Sequence, residues 1–175
     1  MYKRQIEDHF DHSFELEETL AAKGKDEALH LVKDMLHNPG SVFYVRQQQP
    51  AGLGHAVWCA RHLVGSEPVA VLLADDLILG ASCVKEMVDA YKGGNMVAVM
   101  DVPHEQTGSY GIVTPGADDG RIVQVEGLVE KPDPSSAPSN IAVVGRYIIT
   151  PEVFETLAAQ ERGAGGEIQL TDALA

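Results

Sequence analysis

Two uninterrupted apolar runs constrain the fold of this 175-residue chain more than any other feature. Val69-Ala70-Val71-Leu72-Leu73 and residues 96–100 are short and apolar on both faces, which is typical of strands buried in a parallel sheet. A helical segment that starts at Ser82 separates them, and Val42-Phe43-Tyr44-Val45 predicts a further strand. Residues 42–100 therefore predict strand–helix–strand–helix–strand, an α/β fold with a mainly parallel sheet covered by helices.

The rest of the chain extends this pattern without a break. Residues 13–22 and 26–37 carry apolar side chains at helical spacing. Residues 141–149 predict another strand, and Thr150-Pro151 is a typical helix start. Since no linker or repeat interrupts the sequence, we expect a single domain over residues 1–175.

Composition argues against several classes of protein. A formal charge of −13 argues against a nucleic-acid surface, although local cations and Mg²⁺ still allow a nucleotide ligand. No apolar run approaches the roughly 20 residues that a membrane span needs, and the first residues do not resemble a signal peptide. We therefore expect a cytoplasmic protein. Cys59 and Cys83 lack metal-ligand spacing and are predicted to be free thiols.

Gln47 to Val57 form the first segment that could carry chemistry, Gln-Gln-Gln-Pro-Ala-Gly-Leu-Gly-His-Ala-Val. Glycines between a strand and a helix let backbone amides approach a ligand, and a glutamine amide can match part of a uracil or thymine edge. A purely structural turn explains the same glycines equally well.

Two aspartates, Asp75 and Asp76, follow the first apolar run. Ligands of open α/β sheets bind at the carboxyl ends of strands, and carboxylates there suit Mg²⁺. The alternative is a helix cap or a solvated turn.

The third segment is Val129-Glu130-Lys131-Pro132. A glutamate can accept hydrogen bonds from sugar hydroxyls, and a lysine is a compact cation for phosphate. Neighbouring strand residues point to opposite faces, so both reach one ligand only if the strand ends here. Otherwise the two form an ordinary surface pair.

These segments, in this order, resemble the sugar-nucleotide pyrophosphorylases, and within them the bacterial UTP–glucose-1-phosphate uridylyltransferases. The resemblance extends from about residue 6 to the last residue. It also rests on Glu7-Asp8-His9-Phe10-Asp11, Phe14-Glu15-Leu16-Glu17, Pro138-Ser139-Asn140, Val144-Gly145-Arg146-Tyr147 and Gly166-Glu167-Ile168-Gln169-Leu170-Thr171-Asp172.

The resemblance implies a three-layer Rossmann-like nucleotidyltransferase sandwich that moves a uridylyl group from UTP to glucose 1-phosphate. Under it, Gln47 contacts the uracil with Gly52 nearby. Asp75 is a catalytic residue that binds Mg²⁺. A homo-oligomer is compatible with the resemblance, while nucleic-acid and membrane partners are not expected.

The same resemblance implies where the sugar phosphate binds. Gly111 lies near the sugar, and Glu130 contacts the hexose hydroxyls. Lys131 is a catalytic residue that binds the sugar phosphate. Val143 and Tyr147 lie beside the sugar pocket.

The sequence departs from the family at both ends. The family begins with a strand and a Gly-rich, arginine-containing loop that holds the triphosphate, and no such segment precedes Ile6. A second metal-binding aspartate of the family falls beyond Ala175. We therefore expect a domain truncated at both ends that has little activity alone, the activity belonging to the full-length protein.

Two rival functions stay open at this stage. A thymidylyltransferase of the same superfamily would use the same sheet and carboxylates. A non-catalytic nucleotide-binding module would explain the absent phosphate loop, although the retained Asp75, Glu130 and Lys131 favour an enzyme.

The site assignment makes a geometric prediction. Gln47, Asp75, Glu130 and Lys131 should converge on one cleft at the carboxyl edge of the sheet, because a sugar nucleotide spans only about 15–20 Å, the extended length of a few residues. Side chains pointing to opposite faces of the domain would contradict it.

Overall fold

The computed structural model describes residues 7–175 and divides the chain into two compact units. The first unit ends at Arg46 and the second comprises Gln47–Ala175. Helices α1 (Phe14–Ala22) and α2 (Asp26–Asp34) lie in the first unit, where the helical spacing of apolar residues predicts them. Whether residues 1–175 are one nucleotidyltransferase domain stays a prediction.

The strand predicted at residues 42–46 is wrong. The segment is irregular, and no strand in the described part of the chain pairs with it. Its large apolar side chains are exposed, with Phe43 at 67% and Tyr44 at 47%. Because a strand is stabilised by its neighbours, an apolar run without a partner does not become one.

The second unit contains the sheet and the remaining helices. In chain order they are α3 (Leu53–Cys59), α4 (Arg61–Val64), β1 (Val69–Leu72), α5 (Cys83–Ala90), β2 (Met96–Asp101), β3 (Gly111–Asp118), β4 (Val123–Glu130), β5 (Ile141–Ile149), α6 (Glu152–Ala159) and α7 (Leu170–Leu174). Ser82 caps α5 by accepting a hydrogen bond from the Lys85 amide at 3.3 Å. The α/β class predicted from the sequence is confirmed, since five strands and several helices make up this unit.

The expectation of a mainly parallel sheet is corrected by the strand pairing. Strand β5 pairs with β1, β2 and β3, and β3 pairs with β4, all antiparallel. Both β1 and β2 are antiparallel to β5, so they run in the same direction. The sequence pattern therefore gives their direction correctly, but β5, which comes later in the chain, lies between them.

Strand β5 also organises the core. Its buried residues Val143, Tyr147 and Ile149 pack with Val153 and Leu157 of α6, and Val113 of β3 and Leu170 of α7 complete the cluster. Burial of this apolar surface is the main force that holds the helices on the sheet. Within residues 7–175, no helix has the length and apolar character needed to cross a membrane.

Truncation of this core should cost far more stability than truncation at the surface. Ile149 is fully buried, whereas Ile122 is 40% exposed. We expect Ile149→Ala to lower the free energy of unfolding by about 2–5 kcal/mol. Ile122→Ala, the matched control, should change it by about 0.5 kcal/mol or less. Denaturant titration of both variants measures the difference, and equal losses would contradict this core assignment.

Candidate functional site

A cavity of about 180 Å³ lies in the second unit, where β3, β4, β5 and α7 meet. Its lining includes four of the eight predicted site residues: Gly111, Glu130, Val143 and Tyr147. The other four, Gln47, Gly52, Asp75 and Lys131, do not line it. The remaining lining residues are Leu53, Leu73, Asp76, Ser109, Tyr110, Gly145, Gln169, Leu170 and Thr171.

Strand β5 supplies one wall of this cavity through alternate residues. Val143, Gly145 and Tyr147 all line it, and residues two apart on a strand point to the same face. At Gly145 the space that a side chain would need is already filled by neighbouring side chains. A Cβ there would lie 2.6 Å from Asp76 Oδ2 and 2.7 Å from Leu73 Cβ.

The acidic side of the cavity is a carboxylate held by a hydroxyl. Thr171 Oγ1 donates a hydrogen bond to Glu130 Oε2 at 2.8 Å. Both groups are shielded from water, with Thr171 6% exposed and the Glu130 side chain 13% exposed. Gly111 fits beside them because a Cβ there would lie 2.9 Å from Thr171 Cγ2. Oxygen Oε2 of Glu130 is therefore fixed by Thr171, whereas Oε1 is left for another partner.

Lys131 leaves strand geometry immediately after β4 ends at Glu130. Its φ of 45° lies in the left-handed region, and no other non-glycine residue described by the structure has a positive φ. Its amide donates to the Tyr110 carbonyl at 3.0 Å, while its Nζ lies 3.9 Å from Glu130 Oε1. Within a strand, Glu130 and Lys131 would point to opposite faces. Because β4 ends at Glu130, the two side chains lie on the same side.

Tyr147 lines the cavity together with two carboxylates, those of Glu130 and Asp76. Burial raises the pKa of Tyr147 to about 12, and the negative charges of Glu130 and Asp76 add to the rise. A buried neutral phenol is favoured over a phenolate, which would face two like charges. Tyr147 is therefore a neutral hydroxyl at ordinary pH.

The two aspartates after β1 have different environments. Asp76 Oδ2 accepts a hydrogen bond from the Gly145 amide at 2.7 Å, and Asp76 lines the cavity. Asp75 is exposed in the turn that follows β1, and its carboxylate makes no hydrogen bond or ion pair with the described residues. Asp76 is thus part of the fold, whereas the Asp75 carboxylate is available to a ligand.

Arg146 fixes the turn that carries both aspartates. Its guanidinium donates to the carbonyl of Leu73 at 2.9 Å, to the carbonyl of Gly145 at 2.7 Å, and to the carbonyl of Asp76. The Leu73 amide in turn donates to the Gly145 carbonyl at 2.8 Å. The planar fork of arginine suits several carbonyls at once, so the turn has a defined position.

The glycines of the first motif are explained by packing against residue 168. Gly54 donates to the Ile168 carbonyl at 2.9 Å, and the Ile168 amide donates to the Ala51 carbonyl at 2.8 Å. Gly52 has a φ of 102°, and a Cβ there would lie 2.6 Å from the Ile168 carbonyl oxygen. This close approach of two backbones is a sufficient reason for the two glycines, and no ligand is needed to explain them.

Gln47 closes the same loop with its side-chain amide. Its Nε2 lies 2.9 Å from the Gly52 carbonyl, to which it donates, and 3.0 Å from His55 Nδ1. Its Oε1 accepts no hydrogen bond from the part of the chain that the structure describes. The amide is therefore oriented, with its acceptor side free for a donor.

A larger cavity of about 620 Å³ is lined mostly by apolar residues of β2, β4 and α5. None of the predicted site residues lines it. Volume alone does not indicate chemistry. The smaller cavity combines two carboxylates and several hydroxyls with the raised pKa of Tyr147, and this combination makes it the candidate site.

Two polar residues that line the cavity, Thr171 and Asp76, are not among the eight predicted site residues. Thr171 belongs to the Gly166-to-Asp172 stretch that carries the resemblance, but only its contact with Glu130 reveals its position. The sequence offers Asp76 with Asp75 as a possible metal ligand or as a cap or turn residue, and only the structure shows its hydrogen bond with Gly145 of β5. Within residues 7–175, no three His, Cys, Asp or Glu side chains are grouped so as to hold a metal ion.

Comparison with known proteins gives consistent matches. A family model described as nucleotidyl transferase matches residues 10–175. The UTP–glucose-1-phosphate uridylyltransferase of Komagataeibacter xylinus is 50% identical over 99% of this chain. That of Bacillus subtilis (strain 168) is 50% identical over 98% of it. The chain spans about three fifths of the length of these relatives, 62% and 60%.

A solved structure gives the same result at the level of the fold. A UDP-glucose pyrophosphorylase crystallised with UDP-glucose superposes with a TM-score of 0.84 and 38% identity. The superposition covers 98% of this chain and 64% of that one.

The pKa of Tyr147 leads to a prediction about pH. Tyrosines of the unfolded chain lose their proton near pH 10, whereas Tyr147 holds it to about 12. Its contribution to stability is therefore full below about pH 10 and falls as the pH rises towards 12. Ultraviolet difference spectroscopy should detect one late-titrating tyrosine among the five of the chain.

That late transition should disappear in Tyr147→Phe. It should persist in Tyr44→Phe, the control, because Tyr44 is 47% exposed. A late transition that survives in Tyr147→Phe would contradict the buried position of this hydroxyl.

Proposed function

Because this chain belongs to the nucleotidyl transferase family, we propose that a complete catalytic domain containing it transfers a uridylyl group from UTP to glucose 1-phosphate. The products are UDP-glucose and pyrophosphate. The family resemblance seen in the motifs is confirmed by the matches. The observation that carries the proposal is the meeting of Gly111, Glu130, Val143 and Tyr147 in one cavity, with Lys131 beside it.

In this reaction a phosphate oxygen of glucose 1-phosphate attacks the α-phosphorus of UTP. A new oxygen–phosphorus bond forms, and the bond to the β-phosphate breaks to release pyrophosphate. Since the substrate supplies the nucleophile, the protein contributes position and charge. The residues of this chain are suited to both tasks.

The sugar phosphate would bind at the Glu130–Lys131 corner. Glu130 Oε1 would accept a hydrogen bond from a hexose hydroxyl, and the half-exposed Lys131 side chain would contact the phosphate. Gly111 would lie near the sugar, while Val143 and Tyr147 would form the wall of its pocket. Charge-assisted bonds of this kind are roughly twice as strong as neutral ones.

The base would bind near the loop that Gln47 closes. The free Oε1 of Gln47 suits the N3–H donor of uracil, because Nε2 is already committed to the protein. Gly52 keeps the loop close to the backbone at Ile168, so the position of the amide is defined.

We propose Asp75 as the protein ligand of Mg²⁺. This cation is usually held by one or two carboxylates together with substrate phosphates and water, so a cluster of three protein ligands is not needed. The exposed, unpartnered carboxylate of Asp75 fits this arrangement. When bound, the ion would offset charge that builds up on the phosphates. A cytoplasmic location and a homo-oligomer stay predictions.

The nucleotide specificity is tested by competition. The full-length protein is given glucose 1-phosphate with equal concentrations of UTP and dTTP, and the products are separated. We expect UDP-glucose to dominate. Dominant dTDP-glucose would favour the thymidylyltransferase, and no product with either nucleotide would favour the non-catalytic module.

Asp75 and Asp76 provide a matched pair of substitutions for the metal assignment. In the full-length protein, Asp75→Asn keeps the shape but removes the charge, so turnover should fall by a factor on the order of 10²–10⁴. Asp76→Asn keeps an oxygen acceptor for Gly145 and should mainly lower stability, by about 1 kcal/mol.

The measurements are turnover as a function of Mg²⁺ concentration and thermal unfolding of both variants. If Asp76→Asn is the inactive protein and Asp75→Asn is nearly normal, the metal ligand is assigned one residue too early.

A further inference from the structure

We propose that Thr171 is a positioning residue that sets the orientation of the Glu130 carboxylate towards the sugar. The hydroxyl holds one carboxylate oxygen, and the other is thereby presented to the substrate. This inference rests on the proposed function, since it assigns Glu130 to the hexose.

The first support is that the two carboxylate oxygens of Glu130 have different neighbours. Oε2 accepts the hydrogen bond of Thr171 Oγ1 at 2.8 Å, whereas Oε1 lies 3.9 Å from Lys131 Nζ. The second separation is too long for a hydrogen bond, so Lys131 does not fix the carboxylate. Thr171 is thus the only side chain in the described residues that donates a hydrogen bond to it.

The second support is that Thr171 itself has little freedom to move. It is 6% exposed and follows Leu170, which is 1% exposed in the core. Residue 168 is held by hydrogen bonds to the segment around Ala51 and Gly54. A buried hydroxyl whose own chain segment is held in this way can fix the rotamer of a long, flexible side chain such as glutamate.

The third support is the space around the pair. Gly111 has no Cβ, and an added one would lie 2.9 Å from Thr171 Cγ2 and 3.2 Å from Glu130 Oε2. The contact between Thr171 and Glu130 therefore occupies the room that a side chain at residue 111 would take. Glu130 and Thr171 both line the cavity.

A merely structural role would have a different effect. If Thr171 only satisfied a shielded carboxylate, its loss would lower stability and leave the kinetics of the folded protein unchanged. If it positions Glu130, its loss weakens the binding of glucose 1-phosphate and not that of UTP. The two roles are separated by measuring KM for each substrate together with kcat.

The experiment compares three variants of the full-length protein. Thr171→Val removes the hydroxyl and keeps the shape, and Thr171→Ser keeps the hydroxyl. Thr156→Val is the control, because Thr156 is an exposed residue of α6 that does not line the cavity. If the valine variant does not fold, Thr171→Ala makes the same comparison without added bulk.

We expect Thr171→Val to raise KM for glucose 1-phosphate by about tenfold, the scale of one hydrogen bond to a charged group. KM for UTP should stay unchanged, and Thr171→Ser and Thr156→Val should resemble the unmodified protein. An unchanged KM for glucose 1-phosphate, an equal rise for UTP, or a serine variant as impaired as valine would overturn the inference.

A double-mutant cycle tests whether the effect passes through Glu130. In a Glu130→Ala background, adding Thr171→Val should have no further effect on KM for glucose 1-phosphate. Additive effects would show that Thr171 acts by another route and would overturn the proposal. An unmodified protein that makes no UDP-glucose is a different result, because it overturns the proposed function and with it the role of Glu130.

Discussion

The pairing of β5 with three other strands is the constraint on which the sheet and the site depend. Strands β1, β2 and β3 all hydrogen-bond to β5, so its register sets theirs. One face of β5 carries Val143, Gly145 and Tyr147, which contribute both to the cavity and, except for the glycine, to the core. A slip of one residue would turn this face away and remove both at once. The core and the candidate site therefore depend on one set of hydrogen bonds.

The close contact between residues 51–54 and Ile168 is the second constraint. Two motifs more than a hundred residues apart in the sequence meet there, backbone to backbone. The contact defines where α7 begins, and hence where Thr171 lies relative to Glu130. The glycines of the first motif do not line the cavity themselves, but their contact with Ile168 lies next to the segment that carries Thr171.

Sequence patterns gave much of the fold but not its pairing. Apolar runs and caps predicted β1, β2, β5 and α5 because these signals are local. The expectation of a mainly parallel sheet was wrong, since β5 enters the sheet antiparallel from far along the chain and no local signal marks its neighbours. The predicted strand at residues 42–46 failed for the same reason, as it lacks a partner among the described strands. Thr171 was unassigned because its role comes from one contact with a residue 41 positions away.

The left-handed backbone of Lys131 brings two properties into conflict, the stability of the fold and the positive charge beside Glu130. Most residues with a Cβ are strained at a φ of 45°, whereas glycine, and to a lesser degree asparagine, adopts this conformation readily. Replacing the lysine with glycine would relieve local strain and remove the ammonium next to Glu130 in the same step. Selection for thermal stability alone would therefore favour glycine over lysine at this position. A lysine at this position has the strained backbone that the proposed contact with the sugar phosphate would require.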